Sequence, residues 1–189
     1  MEVIMGYVLR SLFIPAGKNG DKLSDIRAYY EEEYGDNIQY NAGTVFAAVG
    51  ADDISDFDHY DLSKDSEIFG EAIGIQIMTY GDDFFLYDHW DNGKPVRILS
   101  YDPYKGWIRV EGREEAWEKE CFFKAGTLEQ DIFFLEQNPV ITEKEQRISQ
   151  LRHLIELGHL IEGYSYPVIS GEGVFFDIIR HFNLTWPKI

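Results

Sequence analysis

The chain has 189 residues, 44% apolar and 15% aromatic, enough to bury a core, and that composition excludes wholesale disorder. Its 34 acidic and 17 basic residues give a formal charge of −17, a field that repels phosphate backbones, so nucleic-acid binding is not expected. No apolar run approaches the ~18 residues that span a bilayer, so membrane association is not expected either.

The first ten residues, MEVIMGYVLR, show neither a basic n-region nor a small-residue cleavage site. Cys121 is the only cysteine, which rules out an intrachain disulfide and makes the reducing cytoplasm the expected location. Residues 7–14 (YVLRSLFI) are β-rich and stop at Pro15. Asp21 can cap a helix running to about Tyr34, whose apolar stripe is Leu23, Ile26, Tyr30 and Tyr34. A second strand is expected at 44–49. An Asp-rich loop, DDISDFDHYD, follows at 52–61, and then a short helix from Ser63 to about Gly70.

The centre reads as a four-stranded antiparallel meander over about 73–111, with strands at 73–80, 83–90, 96–101 and 107–111. Gly81-Asp82, Asn92-Gly93 and Pro103–Gly106 supply the turns. Segment 116–123 (AWEKECFF) fits a strand or a helix equally well. From about 125 to 189 the period is helical. One helix runs from Thr127 to about Gln137. A second, with the capping-box pair Thr142 and Glu145, runs to about Glu162, and a third covers about Gly173 to Phe182. The whole is expected to be one α+β domain over 1–189, the meander extended by N-terminal strands and packed with helices.

The two two-residue turns and the four-residue third loop set a register. Asp91 then faces Lys94, Asp88 faces Arg97, Ile75 faces Asp88 and Leu99 faces Val110. Side chains alternate, so the meander sorts into two faces. The apolar face holds Ile73, Ile75, Ile77, Thr79, Phe84, Leu86, Trp90, Leu99, Tyr101, Ile108 and Val110, with Asp88 and Arg97 as a cross-strand structural ion pair. The mixed face holds Gln76, Met78, Phe85, Tyr87, His89, Asp91, Val96, Ile98, Ser100, Trp107, Arg109 and Glu111.

This assignment dissolves the acid–His–acid run Asp88, His89, Asp91. Asp88 and His89 point to opposite faces, and His89 with Asp91 falls short of the three or four ligands a zinc ion takes, so no metal is expected. His89 and Glu111 would lie roughly 12 Å apart, too far for a direct dyad. Arg109 and Glu111 are expected to pair with each other. A patch of Tyr87, His89, Trp107, Arg109 and Glu111 suits binding better than catalysis, since contact surfaces favour aromatic and Arg side chains. Burial of this face beneath the terminal helices is the competing reading.

Aligning Asp56 with the first position of a calcium loop places Tyr60 and Asp61 where an acceptor and a glycine belong, so an EF-hand is not expected. The acids around Cys121 raise rather than lower its thiol pKa, which makes it structural. No GxSxG, HExxH, P-loop, GxGxxG or CxxC pattern occurs, and no cofactor is expected. Two functions remain: a non-enzymatic acidic binding domain with a protein partner, a basic one in the sharper version, or a small enzyme with a cleft around His89 and Arg109.

Overall fold

The computed structural model describes residues 8–16, 21–34, 38–42, 46–51, 62–79, 83–138, 141–169 and 173–184. The order of elements is β1 (Val8–Pro15), α1 (Leu23–Tyr34), β2 (Ile38–Ala42), β3 (Phe46–Ala51), α2 (Leu62–Phe69), β4 (Glu71–Thr79), β5 (Asp83–Asp91), β6 (Lys94–Asp102) and β7 (Gly106–Gly112). The helices α3 (Ala116–Phe122), α4 (Thr127–Gln137), α5 (Lys144–Leu157) and α6 (Gly173–His181) follow. The fold is α+β, with the expected meander as β4 to β7 and a mainly helical final third.

The strands form one seven-stranded antiparallel sheet in the order β2-β3-β1-β4-β5-β6-β7. β1 is inserted between β3 and β4, so the N-terminal segment sits at the centre of the sheet. Both faces of that centre are covered. On one, Ile26 and Tyr30 of α1, four apart and hence on one side of the helix, pack with Leu62 and Phe69 of α2 against Leu12, Ile14 and Ala72. On the other, Trp117 and Phe122 of α3 and Val174, Phe175 and Ile178 of α6 close over Phe13, Ile73, Ile75, Ile77, Phe85, Tyr87, Leu99, Tyr101 and Trp107. Each large side chain buried there contributes roughly 1.5–3 kcal/mol.

α4 and α5 form a satellite core of their own, built on Leu128, Leu135, Ile148, Leu151 and Leu154. The loop after α5 ties this unit to the sheet edge. Trp107 N donates to Tyr164 O at 2.9 Å, and Gly163 N donates to Trp107 O at 2.8 Å. Gly106 permits the approach: its φ is +82°, and a Cβ there would stand 2.2 Å from Tyr164 O.

Three expectations need correction. α5 ends at Leu157, where Gly158 takes φ +68°, and Glu143 rather than Thr142 holds the N-cap position without a side-chain cap. Within α5, Ile155 is left exposed while Ile148, Leu151 and Leu154 are buried. Two of the three meander registers also differ by one residue. Thr79 pairs with Asp83, leaving residues 80–82 between them where a two-residue turn had been expected. Asp91 faces Lys94 and Trp90 faces Pro95, but His89 then faces Arg97, so Val96 is the extra residue of a bulge. The Asn92-Gly93 turn itself is as expected, with φ of +47° and +74° as a type I′ turn requires. Gly81-Asp82 and the loop at 52–61 lie outside the described residues.

A one-residue slip moves a whole strand's side chains to the opposite face. β5 is the strand that flips. Tyr87 faces Ile75 and Leu99, and Phe85 faces Ile77 and Tyr101, so Phe85, Tyr87 and His89 belong to the apolar face. A second irregularity in β6–β7 pairs Tyr101 with Trp107, which brings Trp107 to the same face and leaves Ile108 exposed. Leu99 faces Val110 as expected.

Candidate functional site

The flip splits the expected binding patch. Tyr87, His89 and Trp107 lie beneath the C-terminal helices, whereas Arg109 and Glu111 stand exposed on the opposite face. Arg109 Nε donates to Glu111 Oε1 at 2.6 Å and its NH2 group to Oε2 at 3.1 Å. Those bonds raise the Arg109 pKa against the opposing effect of partial burial, with the charges of Glu111 and Asp88 adding to them. Asp88 lies across from Ile98, not from Arg97, so the expected Asp88–Arg97 ion pair does not form. The flip of β5 is the reason: with Val96 bulged out, Arg97 keeps the face of Leu99 and meets His89, while Asp88 moves to the opposite face.

Arg97 instead pairs with Glu118 of α3. Its Nε and NH2 donate to Oε1 and Oε2 at 2.9 and 2.6 Å, a two-pronged contact in which Arg97 is 4% exposed and Glu118 0%. The remaining NH1 group donates to the carbonyls of Glu111 and Gly112, each at 3.3 Å. Burial pushes the Glu118 carboxyl pKa up, even though Arg97 and the Glu115 backbone pull it down.

One turn of backbone makes this possible. Gly112 ends β7 at φ +86°, and a Cβ on it would stand 2.1 Å from Val96 O, so the bulged strand and the turn fit only around a glycine. Arg113 N donates to that same Val96 oxygen at 2.9 Å. The chain then enters α3 with Glu115 as its N-cap residue, and the Glu115 backbone N–H donates to Glu118 Oε1 at 2.8 Å.

Glu115 is thereby held above His89. Nδ1 of His89 meets Glu115 Oε1 at 2.5 Å and Nε2 meets Glu71 Oε1 of β4 at 2.9 Å. The other Glu115 oxygen accepts from the Tyr87 hydroxyl and from Trp117 Nε1, the latter at 2.8 Å. Phe182 lies edge-on to the imidazole, with centroids 5.6 Å apart. Burial pulls the His89 pKa down, but hydrogen bonds and charge from Glu115 and Glu71 outweigh it and hold it at about 9. Burial likewise works to raise Glu115, and the hydrogen bonds of His89 and Tyr87 bring it below the ordinary carboxylate value. Burial and the Glu115 charge push the Tyr87 phenol well up. The raised His89 pKa favours a protonated ring, whose two nitrogens then donate to Glu115 and Glu71.

Comparison with protein-family models, with curated proteins and with solved structures finds no match in any of the three. The site has to be read from its own chemistry. Among the described residues no group of three or more His, Cys, Asp or Glu side chains is arranged to hold a metal ion. No helix among them is long and apolar enough to cross a membrane. Cys121 is half-buried, and burial, with the charge and hydrogen bond of Asp177, pushes its thiol up to about 12.

A second polar cluster sits under α1 and α2. Asp65, 2% exposed, accepts from the hydroxyls of Tyr30 and Tyr29, the Tyr29 bond measuring 3.1 Å. The α2 segment also clasps the hairpin tip: Gly93 N donates to Ser66 Oγ, and Asn92 N to Gly70 O, both at 2.8 Å.

The sequence reading missed Glu71, Glu115, Trp117 and Glu118. Two signals were available for them. Glu115 and Glu118 have the three-residue spacing of a capping box, which favours the helix over the strand for segment 116–123. Pro95 cannot donate to a sheet ladder, and a proline inside a strand points to an edge or a bulge.

Proposed function

We propose that this chain is a non-enzymatic binding protein for a positively charged protein partner. The observation that carries the reading is the state of His89. It is the candidate acid–base group of the sheet, and both its nitrogens are committed to Glu115 and Glu71 under α3 and Phe182. A general base needs a free nitrogen and a pKa near the working pH, whereas this imidazole is held protonated with a pKa of about 9. The cluster acts as a clamp between sheet and helices. What then faces a partner is the surface, and its net charge of −17 steers it towards a basic protein. In the same proposal the protein works in the cytoplasm, where the Cys121 thiol needs no partner.

Affinity capture on the full chain at rising ionic strength tests this. We expect a partner of net positive charge whose retention falls steeply from about 0.1 M to about 1 M salt, as surface charges become screened. A partner that is acidic, or held equally at both salts, overturns the reading.

The enzymatic alternative, a cleft around His89, has one observation in its favour. The Glu71 side chain is 35% exposed, so the His89–Glu71 pair reaches towards solvent. An NMR titration of the His89 ring decides between the two: a midpoint near the ordinary 6.5 favours the enzyme, and one near 9 the clamp.

A further inference from the structure

Among the described residues the exposed apolar side chains include single ones, Ile68 on α2, Tyr104 and Ile108 around β7, Val168 in the loop after α5 and Phe176 on α6, and two near the end of α5, Ile155 and Leu157, 40% and 43% exposed. Single exposed side chains of that kind are normal on a protein surface. α4 differs. It buries Leu128 and Leu135 against α5, seven residues apart and thus on one side, and it turns Phe133 and Phe134 outward, 64% and 62% exposed. Neither phenylalanine belongs to a core cluster of the described residues, and aromatic rings are the side chains that anchor interfaces.

The charged side chains of α4 itself are all acidic. On the helix surface Phe133 has Glu129 and Gln130 one turn before it and Glu136 and Gln137 one turn after; Phe134 has Gln130 and Asp131 before it. α4 contains no Lys or Arg. Lys144 and Arg152 of α5 reach it only at Glu136, through 2.8 Å and 3.6 Å contacts. A second copy of this chain is a poor occupant, because each copy brings a formal charge of −17 to the contact.

We infer that the outer side of α4 is the docking surface for the basic partner: Phe133 and Phe134 enter an apolar recess on that protein while its Lys or Arg side chains meet Glu129 and Glu136. This rests on the binding-protein reading above and assigns it a place. A guanidinium stacked on either phenyl ring would add to the contact.

NMR shift mapping on the full isotopically labelled chain provides the test, with two defined amphipathic helical peptides as probes, one of Leu and Lys, the other of Leu and Glu. The Leu/Lys peptide should shift amides of Thr127–Gln137 first and bind in a salt-dependent way, while the Leu/Glu peptide should not bind. Phe133→Ser combined with Phe134→Ser alters only exposed side chains, so it should leave the circular dichroism intact and weaken binding on the order of tenfold or more. Glu129→Gln with Glu136→Gln should flatten the salt dependence, and Arg109→Ala with Glu111→Ala should change neither. If the Leu/Lys peptide binds the Phe variant undiminished and shifts residues elsewhere, the α4 assignment falls while the basic-partner reading stands. Equal binding of both peptides, or none, overturns the reading itself. If the chain alone sediments as a dimer that the Phe variant returns to monomer, α4 is a self-interface and the inference is wrong.

Discussion

The two faces of the sheet both bury carboxylates, and the bonds that meet them differ. Under α1 and α2, Asp65 accepts from the hydroxyls of Tyr29 and Tyr30. Under α3 and α6, Glu115 and Glu118 are met by cations, His89 and Arg97, with Tyr87 and Trp117 filling in. The His89 bonds depend on a proton, held by a ring whose pKa is raised to about 9. Alkali is therefore expected to loosen the α3–α6 face through His89.

The largest effect should come from the charged face. Arg97→Met strands Glu118 in a buried site, and breaking a buried pair by removing one partner costs about 3–5 kcal/mol. Urea denaturation should show that loss, and Arg97→Met with Glu118→Leu should recover much of it, because an apolar pair of similar volume replaces a buried ion pair at little penalty. A double variant as unstable as the single one would mean that Arg97 acts mainly through the carbonyls of Glu111 and Gly112.

Next in size is the pH dependence. The folded pKa of His89, about 9, lies above the ordinary 6.5, so folding is favoured by the bound proton. That contribution is complete below pH 6.5 and is lost as pH rises through 9, where the folded imidazole gives up its proton. Each unit corresponds to about 1.4 kcal/mol, so stability should fall by about 3 kcal/mol across that window. In His89→Gln the window should be flat. A wild-type chain equally stable at both ends would remove the imidazolium from the clamp.

Tyr30→Phe sharpens the contrast from the other face. It should cost about 1–2 kcal/mol by depriving Asp65 of a donor, and the alkaline slope should be unchanged. The smallest effect belongs to the exposed Arg109–Glu111 pair, where Arg109→Ala should change stability by less than about 1 kcal/mol, since water and salt screen such contacts. A loss comparable to that of Arg97→Met would mean that something covers that strip of β7.

The fold was legible where local chemistry decides it. Asn92-Gly93 marks its turn by demanding positive φ at both residues, and Thr127 to Gln137 reads as a helix from its period alone. β2 was missed although IQYNA alternates apolar and polar residues, because a five-residue pattern is too short to stand out along the chain. The candidate site was much less legible, and the cause is register. One extra residue at Val96 and one at residues 80–82 exchange the faces of β5, so an apolar pattern that looked self-consistent was shared by two incompatible pairings. Phe84, Leu86 and Trp90 are as apolar as Phe85, Tyr87 and their neighbours, and hydropathy could not choose between the two sets. Contacts between Glu71, His89 and Glu115 span 18 and 26 residues, and spacing along the chain carries no trace of them.

The bonds between Trp107 and the 163–164 loop bear on how the chain must be made. β7 is the last strand of its sheet, and an outermost strand with open backbone groups recruits other strands. Here the groups of Trp107 are taken by residues that follow it by nearly sixty positions, a distance matched by the Trp107 Nε1 bond to Pro167 O across 60 residues. On the ribosome the meander is therefore complete long before its rim is sealed. At about 5–20 residues per second that interval lasts several seconds, during which the nascent sheet can zip to a neighbour. The acidic charge of the emerged chain then guards it, by keeping identical chains apart until the loop arrives.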